Sequence, residues 1–536
     1  MFEQILNPTG HLWLTITGAL VPLLALILML AVFRVTAWIA TIAGGAVTII
    51  LGMAVWHVPF GNAMKSYLFG GLTGIWSIDW ITFWGLIIFN TLVLTGNFGK
   101  FEKWMVHHAT ADVRIQTIML AWAFGALLEG LVGFGYPWAV VVPILVGLGI
   151  ADLEAIRVAA LANNAPVSYG ALGVPIIGLA AVTGLPLMAL SSSIGNVVAI
   201  LALLPPWVLI YLVSGRKGLA EAWPLAIVGS LSYVAGQWPV AHYLGPYLPD
   251  ISGSLASFWI VFVFVKIWRP KTIRGFGGAV VKPRAESLVN SPRAGGISEA
   301  ALAWVPFIVL ILVVVAWTGP WSKLPNISVF RLSVATVSSV TGKALTSVFN
   351  FTPLGGGTSI LAAWLVILAV LRPGAAIVKQ VFVRTFKQMW GALLVAFFIF
   401  ALAYVFVYSG MANSLAYGLA KIGIFFVVLA PILGWIGVAL SGSNTSTNAM
   451  FGPVQMVTGR LLGLPALLLP TFNSVGAEVG KPIAPQTASV GVSTSKLVRS
   501  EGQVIRHNMR WTLIVLAYLI LIALLFYRVF PRSMSL

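Results

Sequence analysis

Glu129, Glu478 and Lys481 stand inside stretches otherwise fit for hydrocarbon, in "LLEGLVGFGYP" (127–137) and "NSVGAEVGKP" (473–482). A lone carboxylate at such depth is costly when charged and unpaired, so Glu129, and after it Glu478, are candidates to carry a proton. Glu478 and Lys481 lie three apart, on one face if the segment is helical. Lys481 therefore has two open roles, partner of Glu478 or receiver of a substrate carboxylate. The run "SGSNTSTN" (441–448) adds Ser443, Asn444 and Thr445. Hydroxyls and amides at that density suit a carboxylate, a 2-hydroxyl or an oxygen-coordinated cation. The competing readings are local: satisfying a hairpin tip, or bonding Glu129 to backbone N–H groups near a hairpin mouth. Asp79, between Trp76 and Trp80, reads as an interfacial residue, and Arg157 as an anchor to lipid headgroups.

Other chemistries find no constellation. The chain has no cysteine, and its histidines (11, 57, 107, 108, 242 and 507) form no H-E-x-x-H pair, so no metal site is expected and the histidines read as interfacial or loop residues. "PLGGGTS" (353–359) lacks the lysine of a phosphate-binding loop. Neither an enzyme nor an ATP-driven motor is expected, and no cofactor.

The elements that hold these residues must live in lipid. Of 536 residues, 59% are hydrophobic and 8% charged, against roughly 25% charged in soluble chains. Recurrent apolar runs predict an all-α polytopic membrane protein of about 12 transmembrane helices. Plain spans are read at 12–33, 35–56, 76–97, 186–213, 223–247, 252–268, 300–318, 358–371, 388–409 and 511–530. Two stretches, 116–149 and 424–461, are too long for one crossing and too short for two, and predict re-entrant hairpins. With the N-terminus outside, most of the 31 Lys and Arg fall inside, and the C-terminus also ends outside. That bias accounts for the net charge of +18 through topology and anionic lipid, not nucleic acid. Segment 320–357, with Ile327, Phe330, Val334 and Val337 at helical spacing, reads as an interfacial helix or a loop.

Two further segments break the apolar pattern. "LANNAPVSYGALGVP" (161–175) and "LPTFNSVGAEVGKPIAP" (469–485) put Asn, Gly and Pro within spans 158–182 and 465–492. Asn164 follows Gly133 by 31 residues, and Asn473 follows Gly442 by 31. Element order repeats as well: three spans, hairpin, broken span, span. Residues 1–222 and 300–536 therefore read as an inverted repeat with broken helices, joined by 223–299, which ends in the basic loop 266–296. Broken backbone in hydrocarbon is tolerated only where protein or a wet cavity covers it. Half-helix N-termini there would offer N–H groups to a small anion. Gly133, Gly135, Asn164, Ser168, Tyr169 and Asn473 join Ser443, Asn444, Thr445 and Lys481 as candidate substrate ligands. Simple Pro/Gly kinking of packed spans is the structural alternative.

"LLEGLVGFGYP", "NNAPVSYGALGVPI", "SGSNTSTNAMFGPVQ" and "GKPIAPQ" resemble the L-lactate permease family over nearly the whole chain. The resemblance implies a multi-pass carrier of the prokaryotic cytoplasmic (inner) membrane, taking up L-lactate, glycolate and related 2-hydroxy acids with protons. It also implies the scaffold and elevator-type transport domain of the larger ion transporter superfamily, usually as a homodimer. In its dicarboxylate branch, Ser-Asn-Thr tips on both hairpins bind substrate and sodium. Here Ser443-Asn444-Thr445 matches at the second hairpin only; the first carries Glu129 and "GFGYP", a departure that favours protons. Tyr136 and Tyr169 are bulkier than the family pattern and are expected to shape which hydroxy acid fits. The rival readings are a sodium-coupled carboxylate or dicarboxylate carrier and a passive anion channel.

Overall fold

In the computed structural model the described residues are 1–108, 110–133, 135–281, 297–497 and 499–536; the side chains of 31, 104–108 and 297–302 also lie outside this set. Phe134, within the stretch 116–149 read as a hairpin, and residues 282–296 of the basic loop therefore fall outside the described residues. The fold is helical. Among the described residues, eight helices are long and apolar enough to cross a membrane, nine if the bent pair Asp152–Ala162 and Val167–Thr183 forms one span.

The plain spans are helical where expected, with different ends. The expected span 76–97 is the second half of a continuous 35-residue helical run, Phe60–Leu94. Its first half escaped notice because Asn62, Lys65 and several glycines dilute the hydropathy. Those glycines serve packing: a Cβ on Gly70 would stand 2.4 Å from the Phe400 carbonyl oxygen, and one on Gly74 2.5 Å from that of Ala396. Small residues let this run lie backbone to backbone against the long helix Ala375–Tyr408. The expected span 186–213 divides into Leu187–Leu201 and Pro205–Glu221.

Segment 320–357 is neither an interfacial helix nor a loop. Strand β2 (Phe330–Val337) pairs antiparallel with β3 (Ala344–Phe351), and β1 (Phe2–Glu3) adds in parallel to β2. Phe330, Leu332 and Val334 also fit the two-residue period of a strand.

Both hairpins and both broken spans form. The first hairpin descends through Phe124–Leu131, turns at Gly133 (φ 65°) and Gly135 (φ 80°), and returns as Tyr136–Gly147. The second descends as Phe426–Ser441, turns at Gly442 (φ 73°) and returns as Asn444–Leu461. The first broken span runs Asp152–Ala162, then a 3₁₀ turn Val167–Tyr169, then left-handed Ala171, Leu172 and Gly173 before the helix resumes; its limbs meet at 68°. The second runs Leu468–Gly480, a 3₁₀ turn Lys481–Ile483, and Pro485–Ser493. Left-handed glycines also close the span before each hairpin, Gly96 (φ 74°) and Gly410 (φ 91°).

The second hairpin and second broken span form a tight seam. A Cβ on Gly434 would lie 2.0 Å from the Asn473 carbonyl oxygen; those on Gly476 and Gly480 would meet the Pro431 and Trp435 carbonyls at 2.2 and 2.5 Å. Gly476 and Gly480, four apart, are the small-xxx-small pattern of close helix packing.

Candidate functional site

Each break exposes backbone that must find a partner, and side chains supply some of them. The carbonyl of Pro175 accepts from Asn448 Nδ2 at 3.0 Å, and that of Pro482 from Asn508 Nδ2 at 2.9 Å. Asn448 also donates to Ser474 Oγ (3.0 Å) and accepts from Asn473 Nδ2 (3.0 Å). The polar run at 441–448 therefore does two jobs. Asn448 ties the second hairpin to both broken spans, while Ser443 caps the returning helix by accepting from Ser446 N–H at 3.2 Å.

Ser441 to Ser446 border a cavity of about 480 Å³. Its walls come from the two hairpin tips, the two breaks, the long helix, the Phe60–Leu94 run and the first two helices, Leu12–Ala31 and Ala37–Ala54. Of the residues chosen from sequence, Glu129, Gly133, Ser443, Asn444, Thr445 and Lys481 border it, as does Tyr136. Tyr136 OH accepts from Gln388 Nε2 at 2.6 Å, and Asn90 Nδ2 donates to Gln388 Oε1 at 2.8 Å, which fixes the first tip against the long helix. Asn444 is buried with both amide atoms unpartnered among the described residues. It stands in the first turn of the returning helix, whose free N–H groups and dipole favour an anion.

The other candidates lie behind the cavity wall. Tyr169 is fully buried and donates to the Ser191 carbonyl at 2.6 Å, so it does not shape the cavity as expected. Ser168 donates to Glu478 Oε2 at 2.5 Å, Asn473 is held by Asn448, and Asn164 is buried with no partner for its amide among the described residues. Gly135 packs against Thr487 and Val490.

Lys481 does not pair with Glu478. Its Nζ meets Glu129 Oε1 at 2.6 Å, bridging the second break to the first hairpin across 352 positions of sequence. The pair is 7% and 2% exposed. Glu129 Oε2 accepts from Asn163 Nδ2 at 3.0 Å, so each carboxylate oxygen has a donor. Among the described residues, Glu478 has only Ser168 for its two oxygens.

Five residues were misread or missed. Asp79, read as interfacial, is 4% exposed and borders the cavity. Arg157 is not a lipid anchor; it pairs with Glu154 at 3.1 Å and bonds His507 Nδ1 at 2.6 Å, which also makes His507 a packed residue rather than a loop one. Asp250 is a buried acid bonded by Tyr233 OH at 2.8 Å and gave no sequence signal beyond its place at the start of the helix Pro249–Ile267. Asn163 could have been found, since it is the first half of the Asn-Asn doublet at the break.

Residues 15–530 match the family model described as L-lactate permease. The chain is 33% identical to the glycolate permease GlcA of Escherichia coli K12, covering 98% of each chain. It is 31% identical to the L-lactate permease of Bacillus subtilis 168, covering 97% of each. Among solved structures, MtrF of Neisseria gonorrhoeae, described as an antimetabolite efflux pump, aligns over 94% of this chain and 97% of that one, with a TM-score of 0.49 and 13% identity.

Proposed function

This chain belongs to the L-lactate permease family, and on that premise we propose that it imports L-lactate, glycolate and related small 2-hydroxy monocarboxylates, each with a proton. It does so across the cytoplasmic membrane, with both termini outside. Residues 1–222 and 300–536 act as inverted repeats linked by 223–299, with the site between them.

The observation that carries the coupling is the ion pair Lys481–Glu129 at the cavity wall. Empty, the pair is neutral. A substrate carboxylate that takes Lys481 strips Glu129 of its cation, and removing one partner of a buried pair costs about 3–5 kcal/mol. A proton on Glu129 removes that cost. Fully loaded, the site holds one ammonium, one carboxylate and one carboxylic acid, and is again neutral. The half-loaded states, substrate without proton or proton without substrate, leave an unpaired charge in a low-dielectric wall. The site then favours moving both or neither. Neutral loading also spares the anion the roughly 2.3 kcal/mol cost of entering against 100 mV. Ser443, Asn444 and Thr445 serve the 2-hydroxyl, and N–H groups at the head of the returning helix complete the carboxylate's shell.

The test is uptake of labelled L-lactate and glycolate into proteoliposomes under separately imposed proton and sodium gradients. Accumulation driven by the proton gradient alone is expected. A strict need for sodium would choose a sodium-coupled carrier, and failure to exceed equilibrium would choose a passive channel.

A further inference from the structure

Asp79 has no place in the exchange just described. It ends a single turn of π-helix, Gly74–Asp79, set within the Phe60–Leu94 run. Such bulges are rare, and they concentrate at functional sites because the extra residue re-aims a side chain. Here the turn is locked by close packing, since a Cβ on Gly74 would strike the backbone of Ala396. Asp79 borders the cavity, is 4% exposed, and its Oδ2 is buried without a hydrogen-bond partner among the described residues.

The cavity's charges constrain what Asp79 can be. Apart from the phenol of Tyr136, the ionisable side chains that line it among the described residues are Asp79, Glu129 and Lys481. Lys481 is already spoken for by Glu129. Among the described residues, the elements packed on the π-turn offer no substitute cation lining the cavity: the resumed first broken span has no charged residue, and on the long helix Lys379, Arg384 and Lys387 do not line it, Arg384 bonding the Tyr136 phenol instead, while Tyr404 is directed at the carbonyls of Ala181 and Val348. An ionised Asp79 would leave a bare negative charge in an apolar wall and would repel the anion the cavity is proposed to admit.

We infer that Asp79 is a second ligand of the transported carboxylate: it remains a neutral carboxylic acid through the cycle and donates its proton in a hydrogen bond to the anion that Lys481 holds from a separate wall. A neutral donor to a carboxylate is among the stronger hydrogen bonds available without adding charge. The assignment rests on the carboxylate-transport reading for its ligand, and on the cavity's own charge balance for its protonation.

Two measurements test it. The first needs no substrate. A hydrophobic carbodiimide reacts with a buried carboxylic acid: the acid's proton passes to a carbodiimide nitrogen, the carboxylate adds to the central carbon, and an acyl shift leaves a stable N-acylurea with no leaving group. Vesicle-embedded protein treated with dicyclohexylcarbodiimide at neutral pH should carry this adduct on Asp79 by peptide mass spectrometry, with Asp79→Asn as the blank. L-lactate or glycolate should slow the labelling. An unlabelled Asp79, or labelling that neither acid slows, would overturn the assignment. The second is kinetic. Asp79→Asn keeps a neutral donor and should hold KM within about threefold with pH-driven accumulation intact. Asp79→Ala should raise KM by about tenfold or more with little change in kcat. An unchanged KM in Asp79→Ala, or loss of pH-driven accumulation in Asp79→Asn, would contradict it. If the wild-type protein moved neither acid, the transport reading would fail, while the adduct would still report the state of Asp79.

Discussion

At the scale of single residues, the Lys481–Glu129 pair joins groups that sequence analysis treated separately. Lys481 was legible because a basic residue amid apolar ones needs a reason. Its partner was not, because Glu478 is three residues away and Glu129 is 352 away, and only the fold brings the distant one to 2.6 Å. The pair gives a stability prediction. Lys481→Met alone strands Glu129 and should destabilise the detergent-solubilised protein by about 3–5 kcal/mol. The double variant Lys481→Met/Glu129→Gln should recover most of that loss, because no bare charge remains, yet it should not restore coupled transport. Thermal unfolding of the two variants beside wild type decides the matter; a double variant no more stable than the single would show that the pair does not act as a unit. Ser168→Ala makes a smaller test. It removes the donor to Glu478 and should cost about 1–3 kcal/mol.

The elements divide into those marked by composition and those that only packing explains. Hairpins and breaks were readable because Gly, Pro, Asn and Ser are expensive in hydrocarbon and appear there twice in the same order. Helix Phe60–Thr73 was not, since the glycines that let it touch the long helix are the residues that weaken its apolar signal. Asp79 was misread for the same reason. With a helix read as starting at 76, position 79 falls at its end; with the run starting at 60, position 79 falls in the middle of 35 helical residues. The β2–β3 hairpin was missed because its apolar residues satisfied both periods. Packing at the breaks is strict enough to test. Gly173 combines φ 80° with a Cβ position 2.3 Å from the Pro246 carbonyl oxygen. Gly173→Ala should therefore cost both left-handed strain and overpacking, on the order of 1–3 kcal/mol. Gly184→Ala shares the positive φ (70°) but meets nothing within 4 Å, and should cost less. Folded yield after detergent extraction and melting temperature compare the two.

For the whole molecule, the account is one of charge conservation inside lipid. Two interrupted helices and two hairpin tips contribute to a cavity at whose wall, among the described residues, the one lining ammonium, Lys481, is paired with Glu129. On the proposed mechanism, an incoming organic anion keeps that balance by bringing a proton. Family membership supports the substrate class; the ion pair supplies a physical reason for coupling. The most direct measurement is accumulation of labelled L-lactate in proteoliposomes carrying an imposed pH gradient, with the membrane potential clamped at zero, for wild type and Glu129→Gln, each beside lactate counterflow without a gradient. The account predicts that wild type accumulates lactate and that Glu129→Gln does not, while counterflow survives in both. Accumulation by Glu129→Gln equal to that of wild type would contradict it.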